Sequence, residues 1–116
     1  MTAKECITGR RSIRSFTEQP VSHELISQII ETASFAPSWK NTQVTRYIAV
    51  EGDTKAALAK CTTIWAKNGA IMDNAPMVIA VTIVTGRSGY ERDGSFSTVK
   101  GTGWQWYDAG IATEAL

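Results

Sequence analysis

Met77-Val78-Ile79-Ala80-Val81-Thr82-Ile83-Val84 is an apolar, largely β-branched run without in-and-out alternation, entered through Asn74, Ala75 and Pro76. A run this short that is apolar at successive positions predicts a strand buried on both faces. Helices must then cover it.

Upstream, a helix is expected to begin near Asp53 or Thr54, with Ala57, Leu58, Cys61, Ile64 and Trp65 on one side and Gly69 as its C-terminal stop. That pattern puts Cys61 in the core. The β-branched run over residues 44–50 reads as a second strand, entered from the polar stretch Ser38-Trp39-Lys40-Asn41-Thr42-Gln43. Further back, Leu25, Ile26, Ile29, Ile30 and Ala33 follow helical spacing. Ser22 is the candidate N-cap, Glu24 faces the positive end of the helix dipole, and Pro37 ends the segment. A short helix is expected over residues 3–8 with Gly9 as its stop, and residues 10–16 follow as an extended or turning segment.

Downstream, residues 86–103 hold five glycines (Gly86, Gly89, Gly94, Gly101 and Gly103) among charges and read as a mobile surface excursion or lid. Ala109, Ala112, Thr113 and Leu116 then fall on one face of a helix that Asp108 would start. That face is small, with Gly110 beside the alanines, and suits either close approach of another helix or ordinary packing within the chain. No C-cap glycine, basic last turn or polar tail follows, so the expectation is a fragment of a longer protein.

The 116 residues are 43% hydrophobic and 20% charged, the composition of one ordinary globular domain, and the expectation is a single domain over residues 1–116. The net charge of +1 offers no bulk field for nucleic acid or an anionic membrane. No apolar run approaches the roughly 20 residues that cross a bilayer, and the first residues lack a signal-peptide pattern, so the cytoplasm is the expected compartment. Cys6 and Cys61 match neither a disulfide framework nor a close metal-ligand pair, and read as reduced, packed thiols. His23 is the sole histidine; at the start of a helix it reads as a solvated first-turn side chain rather than a catalytic base.

Local chemistry concentrates in Arg10-Arg11-Ser12-Ile13-Arg14-Ser15-Phe16. Guanidinium forks and a hydroxyl on non-helical backbone suit an anion with several oxygens, such as a phosphate monoester. On spacing alone the cluster also fits a solvated basic surface, nucleic acid or membrane phosphate. Neither a Walker sequence nor G-x-G-x-x-G competes with it.

The ordered set resembles the opening of the FMN-dependent nitroreductase family. It comprises this cluster, an amphipathic helix ending Ala36-Pro37-Ser38, and Asn41-Thr42-Gln43 entering a strand. It continues with Asn68 before Met72-Asp73-Asn74-Ala75-Pro76, then Asp108-Ala109-Gly110-Ile111-Ala112, similar to the start of that family's long central helix. The resemblance covers nearly the whole chain. It implies an α+β fold, a three-layer αβα sandwich incomplete at the C-terminus, that forms a homodimer and holds FMN at the subunit interface.

By the same resemblance, Arg10 and Ser12 contact the flavin phosphate and ribityl chain, Arg14 lies by the pyrimidine edge, and Arg11 lies alongside. Pro37, Ser38, Trp39 and Asn41 approach the ring from the partner subunit, Asn68 reaches it from the first, and Gln43 is a further candidate contact. An arginine beside the N1 and O2 edge stabilises negative charge on reduced flavin. The implied reaction passes hydride from NAD(P)H through flavin N5 to a nitroaromatic, quinone or similar acceptor, with no protein nucleophile, no catalytic side chain and no metal. Trp39 and residues 86–103 are candidates to shape the acceptor pocket, although a tryptophan also serves as a packing residue.

Two departures stand out. The family's loop continues Gln-Pro-Trp where this chain has Gln43-Val44-Thr45, and members continue into further strands and a C-terminal segment with basic residues for the flavin phosphate. The alternatives are other flavin chemistry on the same fold, such as dehalogenation or dehydrogenation, or a noncatalytic anion-binding or oligomerisation module.

Overall fold

The protein is described by a computed structural model covering residues 1–116, the side chain of Thr63 excepted. In chain order the elements are α1 (Ala3–Gly9), α2 (His23–Ala33), β1 (Thr45–Val50), α3 (Gly52–Lys60), α4 (Ala66–Asn74), β2 (Val78–Ile83) and α5 (Gly103–Ala115). Short 3-10 turns span Trp39–Asn41 and Thr63–Trp65. The chain divides into two compact units, Met1–Pro20 with Glu51–Pro76, and Val21–Val50 with Met77–Leu116.

In the first unit, α1 opens with a capping box: the Glu5 amide donates to the Thr2 hydroxyl at 3.2 Å, and the Thr2 amide donates to the Glu5 carboxylate at 2.7 Å. These bonds to Thr2, backbone first, hold the Glu5 carboxyl below its ordinary range. The helix expected from Asp53 to Gly69 is instead two helices, α3 and α4, broken at residues 61–65. Gly69 is no stop. It lies inside α4, where a Cβ would stand 2.9 Å from the Ala59 carbonyl oxygen and 3.0 Å from the Thr62 hydroxyl. The glycine lets α4 approach the end of α3, a tertiary demand that its propensity to end helices does not reveal. The break also turns the expected apolar stripe outward: Ile64 is 85% and Trp65 71% exposed, and Cys61, expected in the core, is exposed, as is Cys6. Lys55 fastens the far end of α4, its ammonium donating to the carbonyls of Asp73 at 2.8 Å and Ala75 at 2.5 Å.

In the second unit, Ser22 caps α2 as expected, its hydroxyl accepting from the Leu25 amide at 3.2 Å. β1 and β2 pair antiparallel, from Thr45 opposite Ile83 to Val50 opposite Val78. Helix α5 lies against both strands and α2, and the Tyr47 hydroxyl donates to the Ala112 carbonyl at 3.2 Å. Ala33 and Val44 are almost wholly buried.

β2 is not buried on both faces as expected; Val81 is 37% exposed and Thr82 is exposed. Among the described residues the sheet has two strands, so each strand keeps an open edge and the full burial implied by its composition is not reached.

Residues 86–103, expected as a mobile surface excursion or lid, are built from turns around a short hydrogen-bonded hairpin over residues 89–97. Tyr90 bridges Phe96, the Glu91 amide donates to Ser95 O at 2.8 Å, and the Ser97 amide donates to Gly89 O at 2.9 Å. Gly89, at φ +84°, has no room for a Cβ, which would collide with the Gly101 carbonyl oxygen. Asp108 does not start α5. The helix begins a turn earlier, at Gly103, because residues 103–107 are compatible with helix and Asp108 is occupied elsewhere.

Candidate functional site

The first unit carries the basic segment. Arg10 is the C-cap of α1, and Arg11 turns back to donate to the carbonyls of Thr8 at 2.9 Å and Arg10 at 2.8 Å. This places a cation at the negative end of α1. Arg14 makes a 3.3 Å bond to the carbonyl of its neighbour Ser12. Arg10, Arg11, Ser12 and Arg14 are all exposed on backbone outside helix and strand. The segment is tied to α4, since the Phe16 amide donates to Asn74 Oδ1 at 3.0 Å. Asn68 is exposed on that helix, so one unit holds the arginines and this asparagine.

The second unit carries the polar loop. Lys40, Asn41 and Gln43 have φ of 45°, 53° and 46°, the left-handed region that non-glycine residues rarely occupy. Such strain persists only where surrounding contacts over-determine it. Here the Ser38 hydroxyl accepts from the Gln43 amide at 2.8 Å, the Thr42 hydroxyl donates to the Trp39 carbonyl at 2.8 Å, and the Asn41 amide donates to the Ser38 carbonyl at 2.9 Å.

The strongest tether comes from far along the chain. Asp108, 2% exposed, accepts from the Trp39 amide at 3.0 Å on Oδ1 and from the Ser88 hydroxyl at 2.6 Å on Oδ2. The Lys40 ammonium lies 4.3 Å from the centroid of the Trp39 ring and pairs with the Glu91 carboxylate. The Ser97 hydroxyl first, and then Lys40, hold that carboxyl below its ordinary range.

A cavity of about 440 Å³ opens beside the loop, lined by Pro37, Ser38, Gln43, Tyr47 and Asp108 among others. Burial pushes the Tyr47 phenol above its usual range. Pro37, Ser38 and Gln43 thus share one cavity, whereas Trp39 and Asn41 belong to the same loop without lining it. Ser88, Tyr47 and Glu91 carry no signal in the sequence, and Asp108 carries one that fits a helix start as well as a buried anchor: a carboxylate beside the small apolar positions of a helix.

The Nitroreductase family profile matches residues 7–116. The FMN reductase [NAD(P)H] of Bacillus subtilis is 47% identical over 45 residues, which are 39% of this chain and 18% of that enzyme. A nitroreductase family protein from Clostridium novyi NT is 30% identical and superposes with a TM-score of 0.70 over 99% of this chain and 61% of its own. A Desulfovibrio desulfuricans protein solved in complex with FMN is 26% identical, with a TM-score of 0.60 over 97% of this chain and 62% of its own. The chain therefore spans about three-fifths of the length of these two solved structures. Matched along almost its whole length, and built as the same mixed α and β fold, the chain belongs to the nitroreductase family.

Proposed function

We propose that this chain serves an FMN-dependent oxidoreductase that takes hydride from NAD(P)H and delivers it to a nitroaromatic, quinone or similar acceptor. The observation that carries the reading is the set of exposed guanidinium groups at Arg10, Arg11 and Arg14 on one irregular segment, beside the Ser12 hydroxyl. That donor set fits the phosphate of a flavin mononucleotide, with forked donors for its oxygens and a hydroxyl for its polar chain.

The FMN complex of a relative and the name of the Bacillus subtilis enzyme support the cofactor and the donor. Bound FMN supplies reversible hydride acceptance at N5; the protein supplies placement. Arg10 and Ser12 bind phosphate and ribityl chain, Arg14 offers positive charge to the pyrimidine edge, and Arg11 and Asn68 add polar contacts. Pro37, Ser38, Trp39, Asn41 and Gln43 contribute the ring-facing loop from the partner subunit of a homodimer. The exposed Trp106 and Tyr107 on α5 suit a partner surface. No helix among the described residues is long and apolar enough to cross a membrane.

The test is the visible absorption spectrum of the purified chain before and after anaerobic NADPH. A flavin band that bleaches, and that weakens in Arg10→Ala and Arg14→Ala, supports the reading. A colourless chain that takes up no added FMN overturns it.

A further inference from the structure

We propose that Asp108 is a positioning residue. From its buried position in α5 its carboxylate grips the Trp39 amide and the Ser88 hydroxyl, and so locks residues 38–43 in the shape, left-handed at Lys40, Asn41 and Gln43, in which they meet the flavin. The flavin clause rests on the function proposed above; the lock itself rests on geometry alone.

An aspartate inside a helix is a poor helix former, and a carboxylate that is 2% exposed is unfavourable unless its oxygens are hydrogen-bonded. Both oxygens are. Oδ1 takes an amide at 3.0 Å from the first residue of the 3-10 turn, and Oδ2 takes a hydroxyl at 2.6 Å from Ser88, itself fully buried at the root of the 89–97 hairpin. The bond to Trp39 lands immediately before the three residues at positive φ. A loop that stores such strain relaxes when an anchor is removed. Helix α5 is the longest helix and packs on the sheet, so it is a rigid body from which to hold the loop.

The experiment compares Asp108→Ala, Asp108→Asn and Ser88→Ala with the unaltered chain by amide hydrogen exchange, and by titration with FMN followed in visible circular dichroism. Asp108→Ala should speed exchange at the Trp39 and Gln43 amides roughly tenfold or more, as expected for losing a charged hydrogen bond, while β1 amides keep their rates. It should also weaken FMN binding and change the dichroism band at saturating FMN. Asp108→Asn should restore much of both, because its amide oxygen still accepts from Trp39 and its NH₂ can donate to the Ser88 oxygen.

Unchanged exchange at Trp39 and Gln43, or acceleration spread equally over β1, β2 and α5, overturns the proposal. Should Asp108→Ala fail to fold, Ser88→Ala decides: faster exchange at Trp39 with β1 unaffected supports the lock, and no change overturns it. If the unaltered chain takes up no FMN, the proposed function fails, and the exchange pattern alone decides the lock.

Discussion

The ammonium of Lys40 stands 2.9 and 3.0 Å from the two carboxylate oxygens of Glu91, joining the left-handed loop to the tip of the 89–97 hairpin. Both groups are about half exposed, so the pair contributes little by Coulomb attraction alone and is screened by salt. Its consequence is geometric: it holds the hairpin beside the Trp39 ring.

This pair gives a pH dependence with a definite sign. Glu91 has a lowered pKa in the folded chain, so its contribution to stability is present above the ordinary value of 4.5 and disappears as pH falls through the lowered value. Glu91→Gln should therefore lower the thermal midpoint slightly at pH 7, and the difference from the unaltered chain should shrink progressively as pH falls below 4.5. A difference that does not shrink on acidification would show that packing, not charge, ties the hairpin.

Gln43→Gly is expected to stabilise the chain by about 0.5 kcal/mol. Removing the Cβ at φ 46° relieves roughly 1–2 kcal/mol of left-handed strain, offset by the extra freedom of glycine in the unfolded chain. Urea titration checks this, and a loss of stability would mean that the Gln43 side chain makes contacts worth more than the strain.

Gly89→Ala and Gly94→Ala separate strain from collision. Both residues sit near φ +85°, but Gly94 faces open space whereas a Cβ at Gly89 would strike the Gly101 carbonyl and approach the Trp104 ring. Gly94→Ala should be destabilising by about 1–2 kcal/mol and Gly89→Ala by about 2 kcal/mol more. Equal losses in thermal melts would refute the tight packing at the hairpin root.

Lys55→Met should destabilise α4 by about 1–2 kcal/mol, since two carbonyls at its C-terminal end lose a charged donor. The reading is local: amide exchange should rise at the end of α4 while α2 is unaffected. Uniform exchange would place the role of Lys55 elsewhere.

Much of the molecule was legible in the residues. The spacing of Leu25, Ile26, Ile29 and Ile30 after Ser22 located α2 and its cap, and the apolar runs at 44–50 and 77–84 located both strands. The arginine segment was legible as irregular basic backbone. Gly69, Cys61 and Trp65 depart from expectation because one apolar spacing over residues 57–65 fits a continuous helix as well as two helices with a break, and only packing chooses between them.

The sequence by itself determined part of the local conformation: where α2 starts, where the strands are apolar, and which short segments carry the family's motifs. Those properties depend on neighbours a few positions apart, through caps, dihedral preferences and periodicity. Only the tertiary structure decided that Asp108 would be a buried anchor rather than a helix cap, and that Lys40, Asn41 and Gln43 would be forced to positive φ. A carboxylate's partners are set by what lies within about 3 Å in space. For Asp108 those partners, Trp39 and Ser88, lie far away along the chain, so folding had to bring them together.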